Sequence, residues 1–276
     1  MPISATAPKH GAMMDLRFSE SELERRREHI VSFIRDQVAV SGTDGAVLGL
    51  SGGVDSSLVA HLAVEALGED GLHGLVMPAT VSSEENMSDA EAIADDLGIT
   101  YDVIEIEPLV EDFLTAYPAA EDDQLAVGNA RARVRAVLNY LVANHENRLV
   151  LGTGNKSEAL TGYVTKYGDG AVDCNPIGNL YKAQVRQLAA HVGVPTDVVE
   201  KVATAELWAD QTDEDEMGVS YAVLDSVLAL HVEGPLSADA TVRELGVDRD
   251  QVDRVRTMYE RSKHKRHTPP APEPLD

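Results

Sequence analysis

A chain of 276 residues, 43% of them hydrophobic, can bury a full core, and residues 19 to 276 are expected to form one α/β domain. A formal net charge of −24 excludes nucleic acid as a general partner, because a phosphate backbone selects a basic face. No run of 18 apolar residues and no basic segment leading into an apolar one occurs, so neither a membrane span nor a signal peptide is expected.

Residues 1 to 18 show no periodicity and read as a flexible tail. Ser19-Glu20-Ser21-Glu22 is a capping box, and Leu23, Ile30, Ile34 and Val38 keep helical spacing to about Ala39. Short β-rich runs at 46–50, 72–77, 101–106 and 148–152 then alternate with helical stretches at about 55–67, 86–97 and 125–146. That alternation predicts a three-layer α/β/α architecture around a parallel, doubly wound sheet. The last third reads as helices at about 181–192, 196–203, 217–231 and 248–262. An extended tail from Thr268 to Pro272 follows them.

In a doubly wound sheet ligands bind beyond the carboxyl ends of the strands. The first strand runs into Ser51-Gly52-Gly53-Val54-Asp55-Ser56-Ser57, where glycines admit close approach to an anion and the first helical turn offers free N–H groups. This is a phosphate site without the lysine of a Walker loop; its carboxylate suits a Mg²⁺ that bridges a leaving pyrophosphate. The fourth strand ends in Gly152-Thr153-Gly154-Asn155-Lys156-Ser157-Glu158, so two polar turns should face one crevice. Glu158 there is either a second metal ligand or a first-turn carboxylate favoured by the helix dipole. Thr161 to Gly170 is polar and glycine-rich and reads as a binding loop, and Asn175 to Lys182 leads into a helix with Lys182 available for phosphate.

The lone cysteine, Cys174, excludes an internal disulfide and fits a reducing, cytoplasmic setting; the adjacent Asp173 disfavours its thiolate. Only seven of the 23 basic residues are lysines, a pattern that looks like adaptation to high salt. Each lysine that remains therefore needs a reason. Lys156, Lys166, Lys182, Lys263 and Lys265 all fall in or beside the polar motifs.

The loop from Ser51 to Ser56 resembles the pyrophosphate loop of N-type ATP pyrophosphatases, and alone it leaves GMP synthetases, asparagine synthetases and tRNA-thiolating enzymes open. Joined to Gly152–Glu158, Thr165-Lys166-Tyr167-Gly168-Asp169, Leu180-Tyr181-Lys182, Ala205-Glu206-Leu207-Trp208, Gln211 to Gly218 and His264-Lys265-Arg266, it resembles ammonia-dependent NAD synthetase over roughly residues 20 to 270. The resemblance implies an adenine nucleotide alpha hydrolase-like fold. It also implies ATP-dependent amidation of deamido-NAD by ammonia, through an acyl-adenylate, with Mg²⁺ as cofactor and ATP as co-substrate.

By the same resemblance Gly49, Leu50, Ser51, Gly52, Gly53, Val54, Asp55 and Ser56, with Thr153, Lys182 and Thr204, correspond to ATP contacts. Asp55 and Glu158 correspond to Mg²⁺ ligands. Arg133, Lys166, Asp173, His264 and Lys265 correspond to deamido-NAD contacts, and Asp169 to the carboxylate associated with ammonia. A homodimer is implied, as is a loop from Ala205 to Met217 that closes over the site. Glutamine-dependent relatives carry a long amidase domain with a nucleophilic cysteine, which 276 residues do not hold.

Overall fold

A computed structural model describes residues 14–208 and 211–272. Four parallel strands, β1 (Ala46–Leu50), β2 (Leu72–Val76), β3 (Thr100–Val103) and β4 (Leu149–Leu151), form one sheet in the order β3-β2-β1-β4. Ala46 lies opposite Leu72 on one side and Leu149 on the other, so the carboxyl ends of β1, β2 and β4 share one edge.

Period-two alternation sorts the strand residues between two helical layers. Ala46, Leu48, Leu50 and Leu151 face α1 (Glu20–Ser41), α2 (Val54–Leu67) and α3 (Glu84–Asp96), and pack with Ile34, Leu58, Leu62 and Ile93. Val47, Leu75 and Val150 face α4 (Glu107–Ala116) and α5 (Gln124–Glu146), and pack with Val110, Val127 and Val134. After β4 a short α6 (Lys156–Thr161) leads by a long loop to α7 (Lys182–Val192), which returns to the first layer through Val185 and Leu188. Burial of side chains of this size stabilises the fold by about 1.5–3 kcal/mol each.

The N-terminal capping box forms as expected, with Glu22 accepting from the Ser19 backbone at 2.8 Å. Residues 1–13 of the expected tail lie outside the described residues. Within it, Phe18 donates its N–H to Gln187 at 2.9 Å and packs against the layer that holds α1 and α2, while Leu16 packs against the core of the C-terminal helices.

Several expectations need correction. The run 101–106 is a strand only to Val103, because Ile106 caps α4 and Pro108 sits in its first turn, where a missing N–H is harmless. β3 is also an exposed edge strand, so only β1, β2 and β4 are covered as the sequence suggested. The single helix expected over 217–231 is broken: α9 (Asp213–Met217) ends at Gly218, φ 65°, and Ser220 then caps α10 (Tyr221–Val227), which runs into a wide helical turn over Leu228–Val232. The stretch 196–203 is helical only as α8 (Thr196–Glu200), and α11 (Ala238–Leu245) was not expected. With α12 (Arg249–Arg261), these C-terminal helices enclose a second core of Met217, Leu224, Val227, Leu245, Val252 and Val255.

Candidate active site

β1 delivers the chain to Ser51, and the turn that follows is tied by hydroxyl groups. The Ser51 N–H donates to Ser56 Oγ at 3.2 Å, while the Ser56 and Ser57 hydroxyls donate to the Gly53 carbonyl at 3.1 and 2.9 Å. Gly52 has φ 73°, and a Cβ there would lie 2.1 Å from the Asn86 carbonyl of α3. Only glycine fits, and its fit turns the amino end of α2 toward the cleft.

The turn after β4 is built by Asn155. Its Oδ1 accepts the Glu158 N–H at 3.0 Å and Glu158 Oε2 accepts the Asn155 N–H at 3.1 Å, a capping box for α6. Its Nδ2 also donates to Asp55 Oδ1 at 2.9 Å, which locks the two turns together across 100 positions of sequence. The sequence places Asn155 in the turn after the fourth strand but assigns it no role of its own.

Lys182, the first residue of α7, points its buried ammonium into the junction: 2.5 Å from Asp55 Oδ2 and 3.3 Å from Glu158 Oε1. Burial works against its charge, but the two carboxylates outweigh that and hold its pKa above the ordinary lysine value. Burial pushes the Glu158 carboxyl up against the pull of Lys182, and the nearby Asp55 adds to the rise. The Tyr221 ring lies 5.3 Å from the ammonium, and its hydroxyl donates to Asp213 Oδ2 at 2.8 Å.

Asp55, Glu158, Lys182 and Asp213 line a cleft of about 640 Å³ that reaches from both turns to α5, along with Gly49, Leu50, Ser51, Gly53, Val54, Thr153, Asp169, Thr204 and Lys265. Asp169 accepts the Thr165 N–H at 2.7 Å. It is open to solvent on the cleft side, while the surrounding walls push its pKa up against the Thr165 N–H and Lys265. Lys265 donates to the carbonyls of Gly162 and Val164, both at 2.7 Å, and so holds the binding loop in place.

Arg133, Lys166, Asp173 and His264 do not line this cleft. Arg133 is exposed and donates to the Lys166 carbonyl at 3.2 Å. Asp173 is tied to the sheet, accepting from Tyr140 Oη at 3.0 Å and the Val150 N–H at 2.8 Å, and His264 is exposed after α12. Lys156 pairs with Glu233 at 2.7 Å and is likewise absent from the lining.

The arginine that does reach the cleft is Arg135, whose Nε donates to the Met77 carbonyl at 3.0 Å. Arg131, one turn earlier on the same face, pairs with Glu107 at 2.8 Å and donates to the Leu207 carbonyl at 2.9 Å. The i, i+4 spacing was the signal available for this pair. Over the cleft mouth, Glu206 takes φ 46° and accepts from Asn86 Nδ2 at 2.6 Å, and the Trp208 ring packs against Gly128 of α5.

A family model described as NAD synthase matches residues 27–269. The chain is 61% identical to the NH(3)-dependent NAD(+) synthetase of Halobacterium salinarum, over 97% of this chain and all of that one, and 50% identical to that of Archaeoglobus fulgidus over 90% and 96%. Among solved structures, the NMN synthetase of Francisella tularensis superposes with a TM-score of 0.80 at 36% identity, over 93% of this chain and 99% of that one. The NH3-dependent NAD synthetase of Campylobacter jejuni gives 0.76 at 31%, over 91% and 99%. With a family match over most of its length, full-length relatives at this identity, and a parallel sheet whose two glycine turns meet on one lysine, the chain belongs to the NAD synthase family.

Proposed function

We propose that the protein amidates deamido-NAD with ammonia at the expense of ATP, giving NAD, AMP and pyrophosphate through an acyl-adenylate. The observation that carries this reading is the meeting of both glycine turns on Lys182 at the carboxyl edge of the sheet. The triphosphate lies along residues Gly49 to Ser56, with Thr153, Thr204 and Lys182 as further contacts. A nicotinate carboxylate oxygen attacks the α-phosphorus, the bond to the bridging oxygen breaks, and pyrophosphate leaves. The amino end of α2 and the Lys182 ammonium stabilise the charge that this oxygen develops.

Asp55 and Glu158 present hard oxygen donors on either side of a point now held by a cation, the Lys182 ammonium, which is the donor chemistry Mg²⁺ requires. Among the described residues no cluster of three or more His, Cys, Asp or Glu could hold a metal ion by itself; an ion on Asp55 and Glu158 would complete its shell with phosphate oxygens and water. Bound there, Mg²⁺ supplies positive charge to the pyrophosphate oxygens.

In the second half-reaction ammonia adds to the acyl carbon and AMP leaves. Ammonium must first lose a proton, and Asp169 holds the cation and accepts that proton as a carboxylate. Asp169→Asn is expected to form adenylate in a single turnover and pass it on slowly; equal loss of both half-reactions would reject the role. Because the Asp169 pKa is raised, the wild-type second step should decline with falling pH earlier than an ordinary carboxylate would dictate.

Arg133, Lys166, Asp173 and His264, with Lys265, bind deamido-NAD at a boundary between two copies of the chain. Arg133 begins a stripe on α5 that continues one and two turns later in Val137 and Leu141, which are 66% and 62% exposed. Phe113 of α4 and Tyr117, which caps its end, are exposed to similar degrees. A second copy that covers this apolar stripe makes a homodimer, and Leu141→Glu is expected to sediment as a monomer with a raised KM for deamido-NAD. A wild-type monomer in molar salt, fully active at that concentration, would contradict it.

No helix among the described residues is long and apolar enough to cross a membrane, and a cytoplasmic location fits the free thiol. Burial and Asp173 push the Cys174 thiol up to about 11, which disfavours the thiolate a glutaminase nucleophile needs. Mixing the protein with ATP, Mg²⁺, deamido-NAD and ammonium should yield NAD, AMP and pyrophosphate in equal amounts. Glutamine should not replace ammonium, and nicotinate mononucleotide should be the poorer acceptor. A preference for the mononucleotide would reassign the substrate, and absence of AMP would overturn the reaction.

A further inference from the structure

Asp213 is 4% exposed, lines the cleft, and has one committed oxygen and one free one. Oδ2 accepts the Tyr221 hydroxyl at 2.8 Å, while Oδ1 is buried with no hydrogen-bond partner. The neighbouring Tyr163 hydroxyl donates to Glu216, although it also lies close enough to Asp213 to pull that carboxyl's pKa down. An orphaned carboxylate oxygen costs a fold stability unless it serves a bound cation. Asp213 does not sit alone, because Tyr221 connects it to Lys182: the ring faces the ammonium at 5.3 Å and the hydroxyl holds the carboxylate.

Asp55, Glu158 and Asp213 all act on that one ammonium, and the buried Asp225 adds to them. Carboxylates thus outnumber the single lysine, a surplus that a divalent cation would relieve. Without that cation Lys182 occupies the place between Asp55 and Glu158. A lysine that yields this place needs another counter-charge in a buried setting, and the free oxygen of Asp213 is the one at hand.

We propose that Asp213 is a positioning residue that receives the Lys182 ammonium when a divalent cation takes Asp55 and Glu158, so that lysine and metal act on the nucleotide together rather than compete for two carboxylates. The inference rests on the ATP-dependent reading above. It predicts the pairing at full occupancy: metal with Asp55 and Glu158, ammonium with Asp213. Burial raises the Asp213 pKa against the pull of Lys182, in keeping with a group whose charge is incompletely answered in the ligand-free protein.

The test compares wild type, Asp213→Asn and Asp213→Glu by Mg²⁺ titration of single-turnover pyrophosphate release and by the thermal midpoint of the ligand-free protein. Asp213→Asn is nearly isosteric and keeps an acceptor for Tyr221. It should raise the half-saturating Mg²⁺ concentration roughly tenfold, because Lys182 then stays on the metal carboxylates. It should also raise the ligand-free midpoint by a few degrees, because an orphaned buried charge is gone. Asp213→Glu should restore most of the Mg²⁺ response. An unchanged Mg²⁺ response in Asp213→Asn would overturn the inference, and so would a lowered ligand-free midpoint, which marks a structural prop for Tyr221. If wild type itself releases no pyrophosphate, the parent reading fails instead.

Discussion

Asp55→Asn and Glu158→Gln should each slow pyrophosphate release by about a thousandfold or more, the scale on which removal of a key electrostatic group acts in a preorganised site. The expectation is specific because each change spares the fold. Asn at 55 still offers an oxygen to Asn155 Nδ2, and Gln at 158 still completes the capping box with Asn155. Lys182 keeps one carboxylate in either variant, so its buried ammonium is never left alone, the situation that costs about 3–5 kcal/mol. Far-ultraviolet circular dichroism should match wild type while the rate collapses. Wild-type-like release by either variant would remove that residue from the metal site.

The second large effect is expected at Gly52. An added methyl group would sit 2.1 Å from the Asn86 carbonyl oxygen and 2.9 Å from its carbon, and those are backbone atoms of α3 that cannot rotate away. The residue would also carry a side chain at φ 73°, which adds about 1–2 kcal/mol before the clash is counted. Either the loop lifts from α3 or α3 shifts with everything attached to it. Gly52→Ala should therefore lower the melting midpoint by several degrees and abolish ATP-dependent protection against unfolding. Gly42→Ala is the control: φ is 68° there, but nothing lies within 4 Å of the added carbon, so only the strain should register. Equal behaviour of the two variants would show that the contact with Asn86 is unimportant.

Much of this was legible locally. An apolar run, two glycines and an amphipathic stretch specify β1, the turn and α2 with no tertiary information, and the same logic finds β4 and the polar turn after it. What the chain does not display is which distant groups answer each other's charge. Lys182 and Asp55 are 127 positions apart, and nothing near Asp213 marks one of its oxygens as unpartnered. The arginine run shows the middle case: spacing separates Arg133 from its neighbours, but only packing against Met77 and Leu207 says which side is the cleft. Boundaries failed where one residue decides them, as Gly218 does in ending α9 at the point where the helix over 217–231 was expected to begin.

Asn86 carries three separate duties: its carbonyl bounds the phosphate loop at Gly52, its Nδ2 holds Glu206, and its Oδ1 accepts Lys201 Nζ at 2.7 Å. Around it α3 is heavily acidic, with Glu84, Glu85, Asp95 and Asp96 all exposed. Apart from Ala90, Ile93 and Ala94, which the core holds apolar, the helix is thus divided into exposed positions open to acid and one polar position where acid meets three objections at once. An aspartate at 86 would lose the amide that holds Glu206 and set two carboxylates against each other. Negative charge loaded onto the surface can rewrite the exposed face of this helix yet leave that neutral amide untouched.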